Sequence, residues 1–171
     1  MKALILCAGY ARRMYPLTRD KPKPLLTVAG KPALEYILSN LKKASSIDEI
    51  YIVTNEKFFH LFKKWHKRYK SAKRIFIYSD GTASEDAKLG AVGDIKFMLE
   101  SASIKDDLLI VAGDNLFSFN INKLIRFFKQ KGTTIALYDV KSKKLAREYS
   151  EVKIDEQSLS LIHISEPTRP Y

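Results

Sequence analysis

A single cysteine, Cys7, excludes a disulfide framework and a cysteine-ligated metal cluster. It lies inside an apolar run, where a thiol serves as a small buried hydrophobe rather than a nucleophile. Histidine is nearly as scarce, and His60, His66 and His163 share no zinc-site spacing with Cys7 or an aspartate. No stretch reaches the roughly 18 consecutive apolar residues of a membrane span, and no signal-peptide pattern opens the chain. A cytoplasmic protein with no membrane partner is therefore expected. The Gly-x-Ser-x-Gly nucleophile motif is missing. So are the P-loop pattern and the dinucleotide fingerprint, because Ala11 and Met14 occupy the places of the fingerprint's second and third glycines.

What is present is basic and apolar. The 171 residues carry a formal charge of +11 and are 46% hydrophobic, enough for one domain with a buried core. The densest basic segment, residues 60–74, interleaves Trp65 and Tyr69 among lysines. It reads as a solvated helix face whose aromatics belong to the core, ahead of a nucleic-acid surface. Polyphosphate substrates are also anionic, so basicity alone does not separate an enzyme from a binder. Nothing in the composition sets an oligomeric state.

Hydrophobic periods alternate along the chain. Strands are expected at 2–7, 49–53, 74–78, 107–112, 133–140 and 151–154. Helices are expected from Pro32 through Leu41, over 56–70, through Ile95 to Leu99, and over 122–130. Strand–helix alternation implies crossover units on a mostly parallel sheet.

The first strand leads into Ala8, Gly9, Tyr10 and Ala11, then Arg12 and Arg13, and then Lys21 and Lys23 held among Pro22 and Pro24. Small residues let backbone N–H groups approach an anion, and the long cations can close over it. An ordinary strand-to-helix connection would use the same Ala-Gly pair. The longer pattern resembles the signature of sugar-phosphate nucleotidylyltransferases, Ala-Gly-x-Gly-Thr-Arg-Leu-x-Pro-x-Thr followed by Pro-Lys-x-Leu. Ala8, Gly9, Arg13, Pro16, Thr18, Pro22, Lys23 and Leu25 match it. Ala11 stands at the second glycine and Arg12 at the small hydroxyl residue.

The resemblance implies an α/β fold, a Rossmann-like α/β/α sandwich with a mostly parallel mixed sheet that is incomplete at its C-terminal end. It extends to Gly113-Asp114, where an aspartate leaves the carboxyl end of an apolar strand. A lone Gly-Asp-Asn would be a turn, but the family's aspartate at this point holds Mg2+. It also extends to Gly90 and Ala91, whose family counterparts contact the nucleotide base. Asp80 is read as a turn residue, and Glu85 and Asp94 as complements of a helix N-terminus.

The implied partners are an NTP and a sugar 1-phosphate. A sugar phosphate oxygen would attack the α-phosphorus in line, and pyrophosphate would leave. Ala8, Gly9, Tyr10 and Ala11 would hold the nucleotide. Arg13 would hold the β- and γ-phosphates, Lys23 would bridge the α-phosphate and the incoming phosphate, and Asp114 would hold the metal. A phospho-alcohol acceptor and a non-catalytic nucleotide-sensing subunit are the alternatives, the second suggested by Ala11 and Arg12.

Near the C-terminus, Ser150 replaces a family glycine and no Glu-Lys-Pro strand follows. The string from Leu159 to Arg169 is similar to an in-frame translation of a transposase adaptor used in preparing sequencing libraries. Residues 1–158 are accordingly expected to be the N-terminal part of a longer enzyme and 159–171 a non-native tail. Turnover by the 171 residues alone is expected to be weak or absent.

Overall fold

The computed structural model describes residues 1–138, 141, 151–154 and 160–164. In chain order the elements are β1 (Lys2–Cys7), 3-10 turns at Arg12–Met14 and Lys23–Leu25, β2 (Thr27–Val28), β3 (Lys31–Pro32), α1 (Ala33–Lys42), β4 (Glu49–Thr54) and α2 (Glu56–His66). Then follow β5 (Arg74–Ser79), α3 (Gly90–Ser101), β6 (Leu108–Ala112), α4 (Ile121–Lys131), β7 (Glu151–Ile154) and β8 (Ser160–Ile164). Two units compose the chain, Met1–Gln130 and Lys131–Tyr171.

In the first unit four strands pair in the order β5-β4-β1-β6, every neighbouring pair parallel. The side chains of β1 alternate between the two faces. Ala3, Ile5 and Cys7 enter a core with Leu34, Ile37, Leu38 and Leu41 of α1, Phe58 and Phe62 of α2, and Ile121 and Ile125 of α4. Leu4 enters the opposite cluster with Tyr51, Val53 and Met98 of α3. The sheet is thus covered on both faces. All six residues of β4 are buried, the pattern of a central parallel strand.

The chain order explains the layering. From β1 through α1 and α2 it steps outward to β5, then returns past β1 to β6 by way of α3. Right-handed crossovers in opposite directions place their helices on opposite faces. The reversal falls between β1 and β6, whose carboxyl ends lie side by side, with Leu6 opposite Ala112. This is where open α/β sheets form ligand crevices. The only antiparallel pairings among the described residues are the short ladders β2-β3 and β7-β8.

The amino ends of the strands are tied by charge. Lys2 Nζ lies 2.8 Å from both Asp48 and Glu49, Arg74 Nη2 lies 2.6 Å from Glu49, and the terminal amine lies 3.0 Å from Asp106. Tyr51 also donates to Glu49 at 2.9 Å. These cationic and phenolic donors hold the Glu49 carboxyl below its usual range, the Lys2 hydrogen bond being the largest cause.

Two expectations need correction. The strand expected over 133–140 is not formed as far as Tyr138, and residues 139 and 140 lie outside the described residues. Ile135, Leu137 and Tyr138 are exposed, so the alternating pattern there meets no described strand on which to bury a face. The helix expected over 56–70 ends at His66. Its fully buried positions are Phe58 and Phe62, one turn apart. Trp65 and Tyr69 do pack against the core, stacked at 4.9 Å, and Trp65 Nε1 donates to Glu35 at 2.9 Å.

Candidate active site

The loop after β1 is held from beneath. Asn55 is fully buried; its Nδ2 donates to Ala8 O at 2.8 Å while its Oδ1 accepts from Phe58 N and caps α2. One amide therefore fixes both the end of β1 and the start of a helix. Ala11 adopts the left-handed conformation, φ 50° and ψ 42°, at the position where the family signature carries glycine. That geometry costs a non-glycine residue roughly 1–2 kcal/mol. The buried Thr18 hydroxyl braces it by donating to Ala11 O at 2.7 Å, and Met14 N donates to the same carbonyl at 3.0 Å. Glycine would adopt this conformation without that cost.

Gly9 is exposed, and a Cβ there would meet nothing within 4 Å. Arg12 and Arg13 occupy a 3-10 turn, exposed and without an ion pair among the described residues. Tyr10, expected in the nucleotide loop, keeps its side chain in the core. Its ring is buried against Phe58 and its hydroxyl donates to Thr82 O at 2.9 Å, tying this loop to the one after β5.

The carboxyl end of β6 meets this loop directly. Gly113 N donates to Leu6 O at 2.8 Å. A Cβ on Gly113 would overlap Cys7 Sγ and lie 2.8 Å from Leu6 O and 3.2 Å from Pro24 Cγ, so only glycine fits. The next residue, Asp114, presents Oδ2 2.8 Å from Lys23 Nζ. Lys23 opens a 3-10 turn between Pro22 and Leu26, with Pro24 and Leu25 buried beneath it. Lys23 and Asp114, 91 positions apart, thus meet at the strand-order reversal, each about 40% exposed (39% and 41%). Burial pushes the Cys7 thiol up, which keeps it protonated and unreactive.

Beside these stations lies a cleft of ≈190 Å3, lined by Ala8, Gly9, Gly90 and Ala91 together with Leu6, Lys88, Asp80 and Asp94. It brings together four of the residues expected to hold nucleotide. Gly90 opens α3 with φ 74°, a conformation that requires glycine.

Asp80 is a turn residue through one oxygen only. Its Oδ1 accepts from Thr82 N at 2.7 Å and from Thr82 Oγ1 at 2.8 Å, while its Oδ2 is buried without a partner. Asp94 does not complement the N-terminus of α3, whose first turn holds no acid. It is 5% exposed, shares the buried face of α3 with Met98, and leaves Oδ1 without a partner. Burial, then the charge of Asp80 and a hydrogen bond to it, push the Asp94 carboxyl up to about 6.

Sequence reasoning missed Asn55, Asp80 and Asp94 as parts of the site. The spacing of Asp94 and Met98, one helical turn apart on an otherwise apolar face, was the available signal for an acid in a core position. Among the described residues no group of three or more histidine, cysteine or acidic side chains could hold a metal by itself. Asp114 is the carboxylate that pairs with Lys23.

Comparison with known proteins gives the family and the fold. The nucleotidyl transferase family model matches residues 2–170. A putative mannose-1-phosphate guanyltransferase of Sulfolobus acidocaldarius is 32% identical over 141 residues, 80% of this chain and 36% of the relative. A D-glycero-alpha-D-manno-heptose 1-phosphate guanylyltransferase of Campylobacter jejuni is 31% identical over 159 residues, 93% of this chain and 66% of the relative. In fold, HddC from Yersinia pseudotuberculosis complexed with GMP-PN superposes with a TM-score of 0.76 at 19% identity, over 96% of this chain and 69% of that one. The chain spans about a third of the length of the archaeal relative (36%). With the loop after β1 and the aspartate after β6 joined at one switch point, the chain belongs to the nucleotidyl transferase family.

Proposed function

We propose that the protein transfers a nucleoside monophosphate from an NTP to a sugar 1-phosphate, releasing pyrophosphate. The observation that carries this reading is the meeting of Lys23 and Asp114 at the carboxyl ends of β6 and β1, beside an exposed Arg12-Arg13 turn. Such a reaction asks for positioning and charge neutralisation rather than an acid–base relay. Arg13 holds the leaving β- and γ-phosphates. Lys23 exchanges its contact with Asp114 for oxygens of the α-phosphate and of the attacking sugar phosphate. The cleft beside Gly90 and Ala91 takes the base, which sets the α-phosphate over the loop at Ala8 and Gly9.

Magnesium fits the remaining place. The Asp114 carboxylate is a hard donor whose Oδ2 already accepts a cation, the Lys23 ammonium. One carboxylate plus substrate phosphates is an ordinary magnesium environment, and the ion would supply further neutralisation of phosphate charge there. The nucleotide-sensing alternative rests on Ala11 and Arg12, and Ala11 takes a left-handed conformation that glycine adopts without strain.

The test is calorimetric titration of NTPs into the chain with and without Mg2+, with pyrophosphate release after addition of hexose 1-phosphates. Magnesium-dependent binding that weakens at least tenfold in Asp114→Asn supports the reading. Triphosphate binding indifferent to magnesium and to this substitution would overturn it in favour of a sensor.

A further inference from the structure

Thr82 joins the two halves of the candidate site. It is buried; its carbonyl accepts from the Tyr10 hydroxyl and from Glu56 N, both at 2.9 Å, and its N–H and hydroxyl donate to Asp80 Oδ1 at 2.7 and 2.8 Å. Tyr10 belongs to the loop after β1. The Asp80 carboxyl is in turn hydrogen-bonded to that of Asp94, one turn along α3 from Gly90. A continuous chain of polar contacts therefore runs from the phosphate loop to the wall of the cleft. Its last link joins two acids, and ionised carboxylates only accept. No protein donor reaches Asp80 Oδ2 or Asp94 Oδ1, so the bond between the two carboxyls is made by a proton that one of them keeps.

We propose that Asp80 and Asp94 share one proton and, through Thr82 and Tyr10, position the phosphate loop against the base cleft, an inference that rests on the nucleotide reading of that cleft. Both are positioning residues, acting on the nucleotide through the backbone they hold. The neighbouring charged and titratable groups offer no substitute for the proton. Lys88 lines the cleft but is held by Glu85 at 2.5 Å, and Lys96 pairs with Glu100 on the exposed side of α3 at 4.0 Å. From the sheet, Tyr51 and Tyr78 pack in the cluster with Met98 of α3, and the Tyr51 hydroxyl is committed to Glu49 at 2.9 Å. Burial, then the charge of Asp80 and the hydrogen bond to it, push the Asp94 carboxyl up to about 6. The link is therefore closed in mild acid and becomes a pair of like charges as pH rises through that value. Repulsion between them then loosens the hold of α3 on the loop after β5, and with it the tie to Tyr10.

The experiment is calorimetric titration of GTP and of UTP, each with Mg2+, into the full chain from about pH 5 to about pH 8, for the parent and Asp94→Asn. The asparagine amide donates to Asp80 at every pH in this range, so it replaces the shared proton. Dividing the parent's affinity by that of Asp94→Asn at the same pH removes the titration of the nucleotide's own phosphates. That ratio is expected to fall at least threefold from the acid to the alkaline end, for GTP and UTP alike, with thermal unfolding confirming that both proteins are folded. Tyr10→Phe keeps the ring beside Phe58 but cuts the link to Thr82, and in that background the fall should shrink at least twofold. A ratio that stays flat with pH, or a fall of the same size in the Tyr10→Phe background, overturns the positioning role and leaves the triphosphate reading standing. Absence of triphosphate binding at every pH overturns both.

Discussion

Lys23 Nζ rests 2.8 Å from Asp114 Oδ2, so the cation expected to bridge phosphates and the carboxylate expected to hold metal neutralise each other before substrate arrives. The pair is about 40% exposed at each end (39% and 41%), and exposed ion pairs contribute only about 0–1 kcal/mol to folding. Asp114→Asn and Lys23→Ala are therefore expected to change global stability by less than about 1 kcal/mol. Each should weaken magnesium-dependent triphosphate binding at least tenfold. A denaturant titration beside the calorimetry separates the two effects; a loss of several kcal/mol in stability would make the pair structural.

Gly113 sits just past β6, against Leu6 and Cys7 of β1. Gly113→Ala would press a methyl group onto Cys7 Sγ and the Leu6 carbonyl, and backbone cannot give way as a side-chain end can. The expected cost is about 1–3 kcal/mol, read as a lower denaturant midpoint. Cys7→Ala in the same background should recover only part of it, since the Leu6 oxygen remains. Full recovery would place the whole clash on sulfur.

Asp94 gives the stability curve a specific pH dependence. Its folded value of about 6 lies above the ordinary 3.8, so the native state binds the proton more tightly than the unfolded chain. Stability from this group is fully present below about pH 4 and is lost as pH rises through 6. Asp80 and Lys88, the charged groups that share its cleft, leave it uncompensated at higher pH. Asp94→Asn should melt higher than the parent at pH 8 and equal it near pH 4. Parallel melting curves for the two proteins across that range would sink the assignment.

Ala11 pays a conformational cost inside the phosphate loop. Ala11→Gly removes the left-handed penalty of roughly 1–2 kcal/mol, offset by about 0.5–1 kcal/mol for glycine's freedom in the unfolded chain. A net gain of up to about 1 kcal/mol is expected, with triphosphate affinity kept. A destabilised variant would mean that the alanine methyl makes a packing contact that matters.

The sheet and its helices were legible because each element announces its period. Leu4, Ile5 and Leu6 in a buried run, and Leu34, Ile37, Leu38 and Leu41 on one helical face, leave little choice. The 133–140 pattern failed for the converse reason, since a strand needs a neighbour and periodicity does not say whether one is there. The phosphate loop was readable as a contiguous string. The cleft was not, because Asp80 and Asp94 reach it from opposite sides of a loop, and burial of an acid is a property of the assembled fold. Asn55 was not legible either, because its hold on Ala8 crosses from one strand end to another.

The network at the strand amino ends has an electrical consequence. There Lys2, Arg74 and the terminal amine are matched by Asp48, Glu49 and Asp106, so that end of the molecule is close to balanced. Around the opposite end Arg12, Arg13 and Lys21 stand exposed without ion pairs among the described residues. A phosphate reaching the loop would meet these cations free of an intramolecular carboxylate partner, and that contact should weaken as salt is added.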